Sequence, residues 1–211
     1  MSHIITRLFD DFADAQHAVI ELERAGVPLH DISLVSHGSH RSFAGVRVRE
    51  PHDHTAGGAS AIDAGVGAAA GGIVGAAGGV LAGLGLIAIP GLGPVIAAGW
   101  LASAAVGAVV GGAVVGVAGG LVGALTNAGV SKQEADVYAE GVRRGGTLVS
   151  ARVNDAHLAA AETALNAVPY VDITARGGAY RQSGWTRFDD GAVPYTEEEA
   201  AAERARYRRT L

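Results

Sequence analysis

The chain has 211 residues, a formal net charge of −5 and no cysteine. Disulfides, thiolate nucleophiles and Cys-based zinc sites are therefore excluded, and the acidic balance gives no general basic footprint for nucleic acid. The length fits one ordinary domain plus an appendage. Met1 to Phe9 is short and polar and runs straight into Asp10 and Asp11. No signal peptide is expected there, and both termini are expected in the cytoplasm.

Ile4 to Phe9 predicts a strand, rich in β-branched and aromatic residues. Asp10 and Asp11 offer N-caps to a helix whose Phe12, Ala15, Val19 and Leu22 recur at near-helical spacing. Gly26 suits the C′ position, Pro28 prevents continuation, and Ile32 to Ser36 predicts a second strand, completing a βαβ unit. From His37 to Ser60 the chain is polar and carries four of its eight histidines. His37 and His40, with His52 and His54 beside Asp53, are weak candidates for metal ligands; a solvated connecting loop is the plainer reading. Val46 and Val48 alternate with Arg47 and Arg49, as in a short edge strand.

Ala64 to Ser131 contains no Asp, Glu, Lys, Arg or His. Its arms, Ala64 to Ile89 and Val95 to Val130, each exceed the roughly 20 apolar residues that a helix needs to cross a bilayer. Between them lies the breaker Pro90-Gly91-Leu92-Gly93-Pro94, which reads as the turn of a helical hairpin. Gly67, Gly71, Gly75, Gly79 and Gly83 fall every four residues in the first arm. In the second, Gly99, Ser103, Gly107 and Gly111 form one row, and Ala104, Ala108, Gly112, Gly116, Gly120 and Ala124 its neighbour. Residues four apart share a helical face, so each arm is expected to carry a groove poor in side chains that lets two backbones approach closely.

Ser131 and Glu134 form a capping box for a helix with Ala135, Tyr138 and Val142 inside, stopped by Gly145-Gly146. Thr147 to Val153 alternates as a half-buried strand. Asn154 is expected to cap a further helix with the stripe Leu158, Ala161, Leu165 and Val168; Pro169 breaks it, and Tyr170 to Thr174 predicts a last strand. The two βαβ halves suggest an α+β, ferredoxin-like sandwich: four strands with two helices on one face, and the glycine-zipper hairpin inserted between strands 2 and 3. The expected division is 1–55 for the first half and its His-bearing linker, 56–130 for the hairpin, 131–175 for the second half, and 176–211 for a polar tail. In that tail Thr196 and Glu199 form another capping box, opening a helix that is acidic at its start and basic at its end. A tail that docks a protein partner through Trp185, Phe188 and Tyr195 stands beside a loosely held one.

Three stretches together resemble the bacterial general stress protein family with a heat-induced, YflT-like domain. They are the opening βαβ with its turn Ala25 to Pro28, the hairpin with Ile89 to Pro94, and Gly129-Val130-Ser131 followed by Glu134, Ala135, Tyr138, Glu140, Gly141, Arg144, Gly145 and Gly146. The resemblance covers about residues 4 to 174. It implies a stress-associated protein, often labelled as membrane-bound, with no established catalytic residues or cofactor to carry over.

The leading functional expectation is a non-enzymatic stress-response protein that forms homo-oligomers through the hairpin in or on the cytoplasmic membrane, with lipid as a partner. Arg41, Arg47, Arg49, Lys132, Arg143 and Arg144 lie on the foot side of the hairpin, as the positive-inside rule would place them. The alternatives are a soluble assembly whose hairpins bury one another, and a small-molecule or metal sensor by fold analogy. No strand–Gly-x-Gly-x-x-Gly–helix, Gly-x-Ser-x-Gly elbow or phosphate loop ending in Lys-Ser/Thr is present, so no enzyme is expected.

Overall fold

The computed structural model describes residues 2–37, 85–89, 91–110 and 120–208. β1 (Ser2–Phe9) leads into α1 (Phe12–Arg24), which turns its apolar positions Ala15, Ala18, Val19 and Leu22 inward. Asp11 stands at the N-cap of α1 without a side-chain capping bond, and Gly26 ends it in the left-handed conformation, with φ 88°. A short 3₁₀ turn, Leu29–Asp31, then opens β2 (Ile32–His37), every residue of which is buried.

The sheet has five strands in the order β1-β5-β2-β4-β3, where β3 is Gly85–Ile89, β4 is Gly93–Ala98 and β5 is Thr147–Asn154. All neighbours are antiparallel. β5 lies between β1 and β2, with Ala151 opposite both Ile5 and Ile32. β1 and β2 therefore run parallel on either side of β5.

Three expectations fail around that centre. Residues 85–98 are not helical: they form the β3–β4 hairpin, with Ile87 opposite Val95. Leu92 N–H donates to Ile89 C=O at 3.0 Å, and Gly91 takes φ 75°. The sequence puts Pro90 and Gly91 at the middle of that turn, a type II signature. Isoleucine and valine on either side favour strand over helix. Among the described residues, β4 pairs with β2 from Leu34–Ala98 to His37–Val95.

The strand expected over Tyr170 to Thr174 does not form either: helix begins at Ile173. Asp172 accepts hydrogen bonds from Thr174 N–H and Ala175 N–H at 2.8 and 3.0 Å, and so nucleates a helix where strand was expected. What remains beside the outer edge of β1 is one backbone bond, Val171 N–H to Leu8 C=O, 2.8 Å.

Third, helices cover both faces. On one face α1 and α5 (Leu158–Asn166) bury Ile5, Phe9, Leu34, Val149, Ala151, Val153, Ala161 and Leu165. On the other, α2 (Trp100–Val110), α3 (Gly120–Asn127) and α4 (Lys132–Arg143) bury Leu8, Val35, Leu101, Leu121, Leu125, Tyr138, Val142 and Leu148. The described residues of the second apolar arm therefore include β4, α2 and α3. Gly120, with φ 67°, interrupts any continuous path. No described helix is long and apolar enough to cross a membrane.

α2 is pinned at its start. Leu101 N–H donates to Ser33 Oγ at 2.9 Å, and the Trp100 indole N–H donates to Asp31 C=O at 3.2 Å. Gly99, with φ 82°, lets the chain pass so close to β2 that a Cβ there would collide with Ile32 C=O. Two helices complete the chain: α6 (Ile173–Gln182) and α7 (Glu197–Arg208). The division expected at Arg176 thus falls inside α6.

Candidate functional site

Charge and aromatic surface converge where α4 ends. α4 starts with its predicted capping box, Ser131 Oγ accepting from Glu134 N–H at 3.3 Å. Its last turn carries Glu140, Arg143 and Arg144, spaced i, i+3 and i+4 so that both cations reach one carboxylate. Arg143 Nη2 donates to Glu140 at 2.5 Å and Arg144 Nε at 2.6 Å; the Glu140 side chain is fully buried. A buried carboxylate is costly unless paired, and here two guanidiniums pair it.

The tail closes over this triad. Arg144 Nη1 donates to Glu203 of α7 at 2.8 Å, and its guanidinium lies 4.2 Å from the centre of the Tyr180 ring. Burial disfavours the Arg144 charge, but the bonds to Glu203 and Glu140 outweigh it and hold its pKa above the ordinary arginine value. Next to it Arg176 of α6 makes a bidentate pair with Asp10 at 2.9 and 2.7 Å. Its guanidinium lies 3.7 Å from the centre of the Tyr207 ring. Tyr180 is fully buried between them, and burial drives its phenol pKa well up. Gly145, with φ 98°, provides a hollow for Ala200: a Cβ there would stand 2.6 Å from the Ala200 methyl. Arg204 Nη1 donates to Gly145 C=O at 3.0 Å.

His37, at the end of β2, lies beneath the same tail and is 5 % exposed. Burial, then the Arg204 charge, lower its pKa; a bond to the Tyr195 backbone and the Glu197 charge act the other way. An open cleft of about 280 Å³ is lined by Gln133, Asp136, Arg181, Trp185 and Thr186.

The residues singled out from sequence scatter. Gly91 forms the β-hairpin turn, Gly93 and Pro94 begin β4, Gly107 is in α2, and Gly120 opens α3. Pro90, Gly67, Gly71, Gly75, Gly79, Gly83, Gly111, Gly112 and Gly116 lie outside the described residues, as do His40, His52, His54 and the edge strand expected near Val46. Among the described residues no three metal-ligating side chains cluster. Arg143 and Arg144, expected as foot-side cations, are only 12 and 10 % exposed and are engaged with Glu140. The Glu140–Arg144 spacing of four residues was a usable signal for this site. The Asp10–Arg176 pair, made across 166 residues, had none.

Guanidiniums held in place by carboxylates lay their flat faces against aromatic rings here. No protein-family profile, curated protein or solved structure matches this chain.

Proposed function

We propose that this is a non-enzymatic, self-associating protein whose copies pack through the small-residue face of its uncharged stretch. The stress-response role rests on the family resemblance described above. One observation carries the self-association. In α2, Leu101 and Ala105 are fully buried against the sheet, whereas Ser103 and Ala104 are exposed. Those two belong to the two rows of small residues that recur every four positions through the second arm. Exposed small side chains on a helix let another backbone come close, so that van der Waals contact accumulates over a narrow strip. The occupant proposed is α2 of a second copy.

Ala104→Glu places a charge on that strip without touching the core. The expected outcome is a fall in particle mass by light scattering in detergent-free buffer, with an unchanged melting profile. An Ala104→Glu chain of undiminished mass overturns the reading. Flotation with phospholipid vesicles distinguishes a membrane-seated assembly, which rises with the lipid, from a free one.

A further inference from the structure

The side of α7 that faces the domain has the spacing of a docked peptide helix. Ala200, Glu203, Arg204 and Tyr207 stand at i, i+3, i+4 and i+7, the pattern by which helices are read in grooves. Each has its own receptor. Ala200, fully buried, fits the hollow at Gly145. Glu203 meets Arg144, Arg204 meets the Gly145 carbonyl at the end of α4, and Tyr207 lies against the Arg176 guanidinium. The receptor is preassembled from residues that do not depend on α7: Glu140 fixes Arg144, and Asp10 fixes Arg176.

The attachment is mostly ionic. Within 197–207 only Ala200 is fully buried; Glu203, Arg204 and Tyr207 are half-buried and the rest exposed. Charged contacts weaken as salt is raised, the nearly buried Arg144–Glu203 pair less than those at the rim. The connection 183–196 contains no helix or strand and is largely exposed. Extended, it could span up to about 45 Å, far enough to deliver α7 to a neighbouring molecule. An element with complete, self-sufficient contacts on a long connection is the usual material of exchange between protomers.

We propose that the seat formed by the end of α4 and by α6 is a helix-binding site, filled by the chain's own α7 in an isolated molecule and by α7 of a second copy at high concentration. The charge complementarity already satisfied within one chain selects that occupant. This contact uses a surface separate from the exposed strip of α2, and it holds whether or not that strip assembles.

Complementation between two full-length chains tests it, both carrying Ala104→Glu to silence α2. One chain also carries Glu203→Arg and Tyr207→Ala, which leave its seat open. The other carries Arg144→Gln, which weakens the seat but keeps the Glu140–Arg143 pair and an intact tail. Native mass spectrometry is expected to show a heterodimer in the mixture and at least tenfold less dimer in either chain alone, with loss of the heterodimer on raising salt. If the Arg144→Gln chain fails to fold, a labelled peptide of residues 195–211 replaces it. That peptide is expected to bind the open-seat chain and to be released by salt, whereas the peptide with Glu203→Arg and Tyr207→Ala is not expected to bind. A mixture without heterodimer overturns the proposal, as does equal binding of the two peptides.

Discussion

The two faces of the sheet are built from different kinds of sequence. Under α1 and α5 the contacts are almost purely apolar, and among the described residues the buried polar pair there is Ser36 with Thr147, 2.8 Å apart. Under α2, α3 and α4 the apolar cluster is threaded with polar anchors. Ser33 caps α2, Thr6 and Ser150 bond at 2.9 Å, and the Tyr138 hydroxyl donates to Thr6 C=O at 3.0 Å. An amphipathic helix is oriented by its own pattern. A helix of Ala, Gly, Val and Leu all round has no preferred side, so specific bonds and close approaches must fix how it sits.

If that contrast is right, the sharpest break comes at Gly99. Gly99→Ala combines left-handed strain with a Cβ driven into the Ile32 carbonyl. Each effect costs about 1–3 kcal/mol, so a loss of roughly 2–6 kcal/mol is expected in urea unfolding. A loss under about 1 kcal/mol would show that the start of α2 is not held against β2.

Next in size is a matched pair of cavities. Leu22→Ala in α1 and Leu125→Ala in α3 each remove a fully buried side chain, one under each face. Each is expected to cost about 2–5 kcal/mol. Equal losses support a single cooperative unit with the glycine-rich half as true core. A negligible loss for Leu125→Ala would mean that α2 and α3 merely cover the sheet.

The smallest effect is a titration confined to the second face. His37 has a folded pKa below its unfolded value of 6.5, chiefly through burial and the Arg204 charge. Its contribution is therefore complete above pH 6.5 and is lost as pH falls through the folded pKa. At the alkaline end, burial pushes the Tyr138 phenol up to about 12 from 10.0. That contribution is present below pH 10 and disappears as pH rises toward the folded value. His37→Asn should flatten the acid limb and leave the alkaline limb, and Tyr138→Phe should do the reverse. Stability measured against pH for both variants checks the assignment.

What could be read from the chain tracked how local the cause was. The starts of α4 and α7 were legible because a capping box satisfies its own backbone donors: Thr196 N–H meets the Glu199 carboxylate at 2.8 Å without help from the rest of the fold. β1 was legible from its β-branched and aromatic residues, β2 from the turn residues that precede it, and β5 from its alternation. Residues 85–89 and 95–98 were read as parts of helical arms because apolar length alone suits a membrane helix and a buried strand equally well. Residues 93–98 became a strand because the edge of β2 was there to pair with them, and β3 pairs in turn with β4; that edge exists only once β1, β5 and β2 have assembled.

The sequence by itself determined where most elements begin and end, since caps, glycines and prolines act within a few residues. It also determined that α1, α4 and α5 turn one side inward, because their own spacing marks that side. Only the tertiary structure decided that the uncharged stretch supplies two strands and a second helical layer, and that Arg144 and Arg176 receive the tail. Those outcomes depend on partners distant in the chain, and a buried charge or a bare apolar helix takes its place only from what the folded chain sets against it.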